Sequence, residues 1–216
     1  MESAIETFEH AGFRVSIYQD EHEEGPGQWG NGKAEGIFLR AYHRQFHVDG
    51  VERGITSRRG RAMSQDEAIE FFNAHKNARG PWRVYPLYAY IHSGVCLSLG
   101  SDPSGGFDPG GWDTSHLGFI AVRKRDFPGK ERARKAAESL VETWNQYLSG
   151  DVYGYVVEAR VPDADGDEGD ATYEEVDSCW GCYGIEDARQ QAREAAEHNQ
   201  RQVPLPFPIS LDAEGR

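Results

Sequence analysis

The chain has 216 residues, 38% apolar and 12% aromatic, a length for one large domain or two small ones with an aromatic-rich core and a very polar surface. Its 36 acidic and 23 basic residues leave a net charge of -13, which argues against a general nucleic-acid or anionic-membrane binder. No apolar run nears the roughly 20 residues that cross a bilayer, the opening MESAIETFEH does not read as a signal peptide, and three cysteines do not make a secreted disulfide framework.

Residues 13–19 (FRVSIYQ) alternate apolar and polar, with Phe13, Val15 and Ile17 on one face, as in a half-buried strand. Glycines and Pro26 break the chain through 25–36, a second strand fits 36–43, and 44–62 reads as a long basic loop. Ser64 then opens a helix in capping-box spacing with Glu67; Ala68, Ile69 and Phe72 give its apolar face, and Gly80-Pro81 ends it. Residues 82–91 and 94–99 read as strands around a short turn at His92-Ser93-Gly94, and Pro86 assigns the first of them an edge or bulge position. Residues 100–116 (GSDPSGGFDPGGWDTSH) form a loop too long for a simple hairpin, and such loops are often functional.

A strand at 117–123 precedes the clearest helix, 129–148. There Ala133, Ala136, Ala137, Leu140, Val141, Trp144 and Leu148 recur at helical spacing, and Ser149-Gly150 closes the element. Residues 151–160 and 172–180 read as an antiparallel hairpin around an acidic loop, and 185–198 as a last helix. These elements predict an α+β fold, with a twisted, mostly antiparallel sheet of about five to seven strands and two or three helices on one face. The sheet should include 82–91, 94–99, 117–123, 151–160 and 172–180. A single domain over 1–203 is expected, with 1–62 as a part that could attach loosely and 204–216 as an extended, proline-rich tail.

The charge is local. Residues 1–27 sum to -6 and residues 158–187 to -10, whereas 28–62 and 121–135 each carry seven Lys and Arg against three and two acids. Such runs are commonly solvated faces, but their polarity also suits docking of a charged partner.

Four groups of residues could carry chemistry. His92, Ser93, Cys96, Asp102, Asp108, Asp113 and His116 gather around the long loop; His92, Ser93, Asp113 and His116 are the candidate catalytic residues, with Asp113 and His116 as an acid/base pair. Cys179-Trp180-Gly181-Cys182 follows a strand and precedes a helix, where a helix N-terminus would favour a thiolate. Cys179 and Cys182 with His92 and Cys96 also have the residue types of a zinc site, although no second C-x-x-C exists and no metal is expected. Asp163, Asp165, Asp167, Glu168 and Asp170 lack the EF-hand order and read as a solvated, binding-competent loop. Trp112, in the glycine-rich loop, anchors either that loop or a partner.

The stretch Tyr88-Ala89-Tyr90-Ile91-His92-Ser93-Gly94, then Trp112-Asp113-Thr114-Ser115 and Leu117-Gly118-Phe119-Ile120, resembles a widespread family of uncharacterised proteins of phages, prophages and plasmids. The resemblance continues through 147–158 (YLSGDVYGYVVE), Asp177-Ser178-Cys179-Trp180-Gly181 and Tyr183-Gly184, with a looser match at 13–29. It implies a mobile-element accessory protein of the bacterial cytoplasm and assigns no activity. Ile91 stands where relatives have an aspartate before His-Ser-Gly, and Cys182 where they have an aromatic residue, which weakens an Asp–His site and the metal and redox readings.

The expected function is therefore non-enzymatic. The acidic surface, with Trp112, Trp180 and Tyr183 in a cluster beside His92, Ser93 and Asp113, would bind a protein of the host or of the element, with no cofactor, no membrane and no direct nucleic-acid contact. The alternative is a small hydrolase or nucleotide-processing enzyme using His92, Asp113 and His116; a third reading is a structural zinc protein.

Overall fold

The computed structural model describes residues 3–21, 25–26, 36–43, 46–49, 65–75, 80–100, 108, 110–161 and 172–202. They include the strands β1 (Glu6–His10), β2 (Phe13–Gln19), β3 (Ile37–His43), β4 (Phe46–Asp49), β5 (Trp82–Ile91), β6 (Val95–Leu99), β7 (Thr114–Arg123), β8 (Val152–Val161) and β9 (Thr172–Tyr183), and the helices α1 (Gln65–His75), α2 (Lys130–Ser149) and α3 (Ile185–Gln202). The fold is α+β with antiparallel pairing throughout. The strands are divided between two sheets, of order β1-β2-β8-β9 and β4-β3-β7-β5-β6, where the sequence suggests one. Contacts group the chain into two compact units, residues 1–21 with 151–216 and residues 22–150.

In the first unit, the alternation in β2 does what the pattern demands: Phe13, Val15 and Ile17 are buried, together with Tyr155 and Val157 of β8. The helix α3 covers this face with Ala188, Ala192 and Ala196, all fully buried and four residues apart. Alanine brings the helix axis close to the sheet, so the core is thin and intolerant of bulk. Strand β1 lies outside the sequence expectation. Ala11 and Gly12, at φ 52° and 85°, close the β1–β2 hairpin in the left-handed region that a two-residue turn requires. Polar contacts tie down the margins: Arg14 grips Glu158 through Nε and Nη2, both at 2.8 Å, Arg189 reaches Glu6, and His10 Nε2 lies 3.2 Å from Glu197 Oε1.

The second unit is built on β5 and β7, interior strands that are apolar on both faces. Leu87, Ala89, Ile120 and Val122 meet Ala133, Ala137, Val141 and Trp144 of α2. Phe71 and Phe72 of α1 cover the other face, on Trp82, Phe119 and Ala121. The helices of this unit thus lie on opposite faces, not on one as the sequence suggests, because a sheet apolar on both sides needs two covers. Gly150, at φ 73°, caps α2 where Ser149-Gly150 predicts its end. Pro86 sits in an interior strand beside a bulge between Leu87 and Tyr88. The expected basic loop 44–62 contains β4, and the capping box at Ser64, the acidic loop and the tail 204–216 lie outside the described residues.

Candidate functional site

The loop before β7 is organised by one carboxylate. Asp108 accepts hydrogen bonds from the backbone N–H groups of Trp112 at 3.0 Å and of Asp113 and Thr114 at 2.9 Å each. Desolvation alone would push this carboxyl up, but the hydrogen bonds from Thr114, Trp112 and Asp113 outweigh it and hold it below the ordinary aspartate value. The Ile91 N–H donates to the Asp113 carbonyl at 2.8 Å, which clamps the loop to the end of β5. There His92 Nδ1 stands 3.0 Å from Asp113 Oδ2, and Tyr90 stacks on the imidazole at 6.2 Å. With Nδ1 on Asp113, the Nε2 edge of the ring faces away from the carboxylate, the arrangement found in acid/base histidines.

Two of the four candidate catalytic residues therefore meet. The other two do not join them, and the expected acid/base pair of Asp113 with His116 is not formed, since Asp113 engages His92 instead. Ser93 is exposed in the turn, and His116 lies edge-on to Tyr88 at 5.2 Å and tilted against Phe72 at 6.0 Å. The bulge in β7 explains His116: one extra residue turns it to the α1 side with Phe119, while Leu117 goes to the α2 side with Ile120. The His92–Asp113 pair is open to solvent, with side chains 66% and 38% exposed. Trp112, beside it in sequence, is 90% exposed. A Cβ on Gly110 would lie 2.4 Å from the indole, so glycine lets the ring rest on the backbone. The end of the loop at 110–113 is tied down by these hydrogen bonds and holds a large apolar side chain in water.

Trp180, Tyr183, Cys179 and Cys182 belong to the other unit. Along β9, Cys179 pairs with Tyr155 and Cys182 with Tyr153, so Trp180 and Gly181 together face Gly154. In a regular strand residues three apart point to opposite faces. Here the extra residue turns both thiols toward the core beneath α3. Burial, then the neighbouring Cys179, pushes the Cys182 thiol up to about 12. A thiol raised in this way holds little thiolate at neutral pH and is a poor nucleophile. The motif also lies inside β9, with α3 starting only at Ile185, so the expected helix N-terminus is not its setting. Among the described residues, no group of three or more His, Cys, Asp or Glu side chains could hold a metal ion.

Trp180 takes the opposite face, over Gly154 and 6.0 Å from Tyr18. Gly181 N–H donates to Asp20 Oδ2 at 2.8 Å, a partner for a buried carboxylate that the sequence did not single out. Tyr183 pairs with Val152 at the end of β9. Asp163, Asp165, Asp167, Glu168 and Asp170, like Asp102, lie outside the described residues.

The charge follows the two units. Residues 1–21 with 151–216 hold 21 Asp and Glu against 6 Arg, a net of -15, and residues 22–150 hold 15 against 17 Lys and Arg, a net of +2. Some acids of the first unit are spent internally, as Glu6, Asp20 and Glu158 show. Others, including Glu174, Glu175, Asp187 and Glu194, are exposed on β9 and α3. No protein-family model, curated protein or solved structure matches the chain. No helix among the described residues is long and apolar enough to cross a membrane.

Proposed function

We propose that this chain is an accessory protein of a phage or plasmid that binds a protein of the host or of the element through an acidic surface, inside a bacterial cell. The observation that carries this reading is the partition of charge, -15 in one unit and +2 in the other. A surface of that charge suits a basic groove built for phosphates, such as that of a nucleic-acid-handling or defence enzyme. The resemblance to mobile-element proteins supports the setting, and the exposed Trp112 offers a second anchor of the kind that dominates interface energetics. The test is affinity capture from host lysate at low and high salt, with a variant in which Glu174 and Glu175 are both changed to Lys. A stoichiometric partner lost at high salt and lost with the variant supports the proposal; a partner indifferent to both removes it.

The His92–Asp113 hydrogen bond favours a second reading, a small hydrolase or nucleotide-processing enzyme. It would show as turnover in a screen of esters and nucleotides that Asp113→Ala abolishes.

A further inference from the structure

Strand β6 is an edge: among the described residues it pairs with β5 alone. Helix α2 runs beside that edge, and a groove of about 660 Å³ opens between them, lined by Val95 to Leu99 on one wall and by Arg134, Glu138, Val141, Glu142 and Asn145 on the other. The groove is shallow and open to solvent along its length. One contact inside it is unusual. The Leu97 N–H donates to Asn145 Oδ1 at 2.7 Å, and Asn145 Nδ2 donates back to the Leu97 carbonyl at 3.0 Å. A carboxamide has the donor and acceptor of a peptide group, so Asn145 does at Leu97 what one residue of a neighbouring strand would do.

We propose that this groove takes an extended, basic peptide segment of a partner protein by strand addition to β6, with the Asn145 carboxamide holding the place of its backbone. Backbone groups of an antiparallel edge strand alternate in direction. Val95 and Leu99 therefore turn their N–H and C=O the same way as Leu97, toward the groove, and together the three residues form a ladder for an incoming strand. Leu97 and Leu99 are buried on the α2 side, which makes the floor apolar. The charge of the rim sets the preference. Arg134 Nε is held by Glu138 Oε1 at 2.7 Å, which leaves the exposed Glu142 as the surplus charge of the lining. A Lys or Arg on the incoming segment complements it. This site is in residues 22–150 and stands independently of the acidic-surface reading.

The probe is a library of random linear peptides displayed on phage, panned against the full chain. The expected result is enrichment of peptides carrying Lys or Arg. A selected peptide should slow hydrogen exchange at the Val95 and Leu99 amides, and should lose binding when alternate backbone nitrogens are methylated. Glu142→Lys, on the exposed side of α2, should weaken binding. Asn145→Ala should tighten it by about tenfold, because the peptide no longer displaces two hydrogen bonds. No enrichment, protection elsewhere in the chain, or binding indifferent to N-methylation would overturn the proposal. So would concentration-dependent self-association that protects the same amides without peptide, which would make a second copy the occupant.

Discussion

At the scale of single residues, two side chains carry most of the testable chemistry. Cys182 is a buried thiol raised to about 12, and Tyr155 beside it is raised to about 12 by burial and then by Cys179. Both groups keep their protons longer folded than unfolded. Their contribution to stability is thus whole below pH 9 and is lost as pH climbs from there toward 12. At pH 10.5 ionisation of Cys182 in the unfolded chain alone costs on the order of 2 kcal/mol. Urea midpoints at pH 8 and 10.5 should show this fall, and Cys182→Ala should lessen it. In the folded protein at pH 8, the exposed Cys96 should react with a thiol reagent while Cys182 waits for denaturant. Asp108 works in the opposite sense, since its lowered value makes the loop order hold above the ordinary carboxylate range and fade as pH falls. Asp108→Ala should speed amide exchange at Trp112, Asp113 and Thr114 while the sheet amides stay protected. At Gly154 a Cβ would lie 2.1 Å from the Trp180 ring, so Gly154→Ala should push the indole into water and shift its fluorescence to the red. The sequence grouped His92 with Asp113 in one loop cluster but paired Asp113 with His116, and the structure gives Asp113 to His92 instead. The exclusion of His116 was not legible, because a bulge in β7 reverses its face and a bulge leaves no mark in the hydrophobic pattern.

At the scale of elements, the periodic signals were the reliable ones. Strand β2 and helix α2 lie where alternation and helical spacing put them, since each has one buried face and the pattern records it. Strand β1 escaped notice because Glu6, Glu9 and His10 give it a polar sequence and Ala11-Gly12 is not the usual Asn-Gly turn. The Cys-Trp-Gly-Cys motif looked like a strand-to-helix junction, yet β9 runs through it to Tyr183. Asn145 had a faint signal, a polar residue between Trp144 and Leu148 on the apolar side of α2. Its value came only with the edge strand that it faces. The alanine stripe of α3 yields a direct prediction. Ala192→Leu should destabilise the fold by about 1–3 kcal/mol, with a lower urea midpoint and an unchanged slope, because the added bulk has nowhere to go.

At the scale of the whole molecule, the antiparallel α+β class followed from strands separated by turns in some places and by helices in others, but the division into two sheets did not. Which strands share a sheet depends on pairings such as β2 with β8, between residues far apart in sequence, and local patterns are blind to them. Residues 22–150 are contiguous and have their own apolar clusters, so expressed alone they should give a cooperative unfolding transition and the dispersed amide spectrum of a folded unit. The pairing of β2 with β8 has one more consequence, in time. Asp20 N–H already bonds the Val152 carbonyl at 2.9 Å, so the two strands are neighbours across the whole inserted segment. On the ribosome the β1–β2 hairpin emerges first and must wait, one edge unpaired, until residues 22–150 have been made. At ordinary elongation rates that is roughly 6 to 26 s. During that wait the hairpin carries an open β-edge, and the excess of Glu and Asp in residues 1–21 is charge of the kind that opposes edge-to-edge pairing.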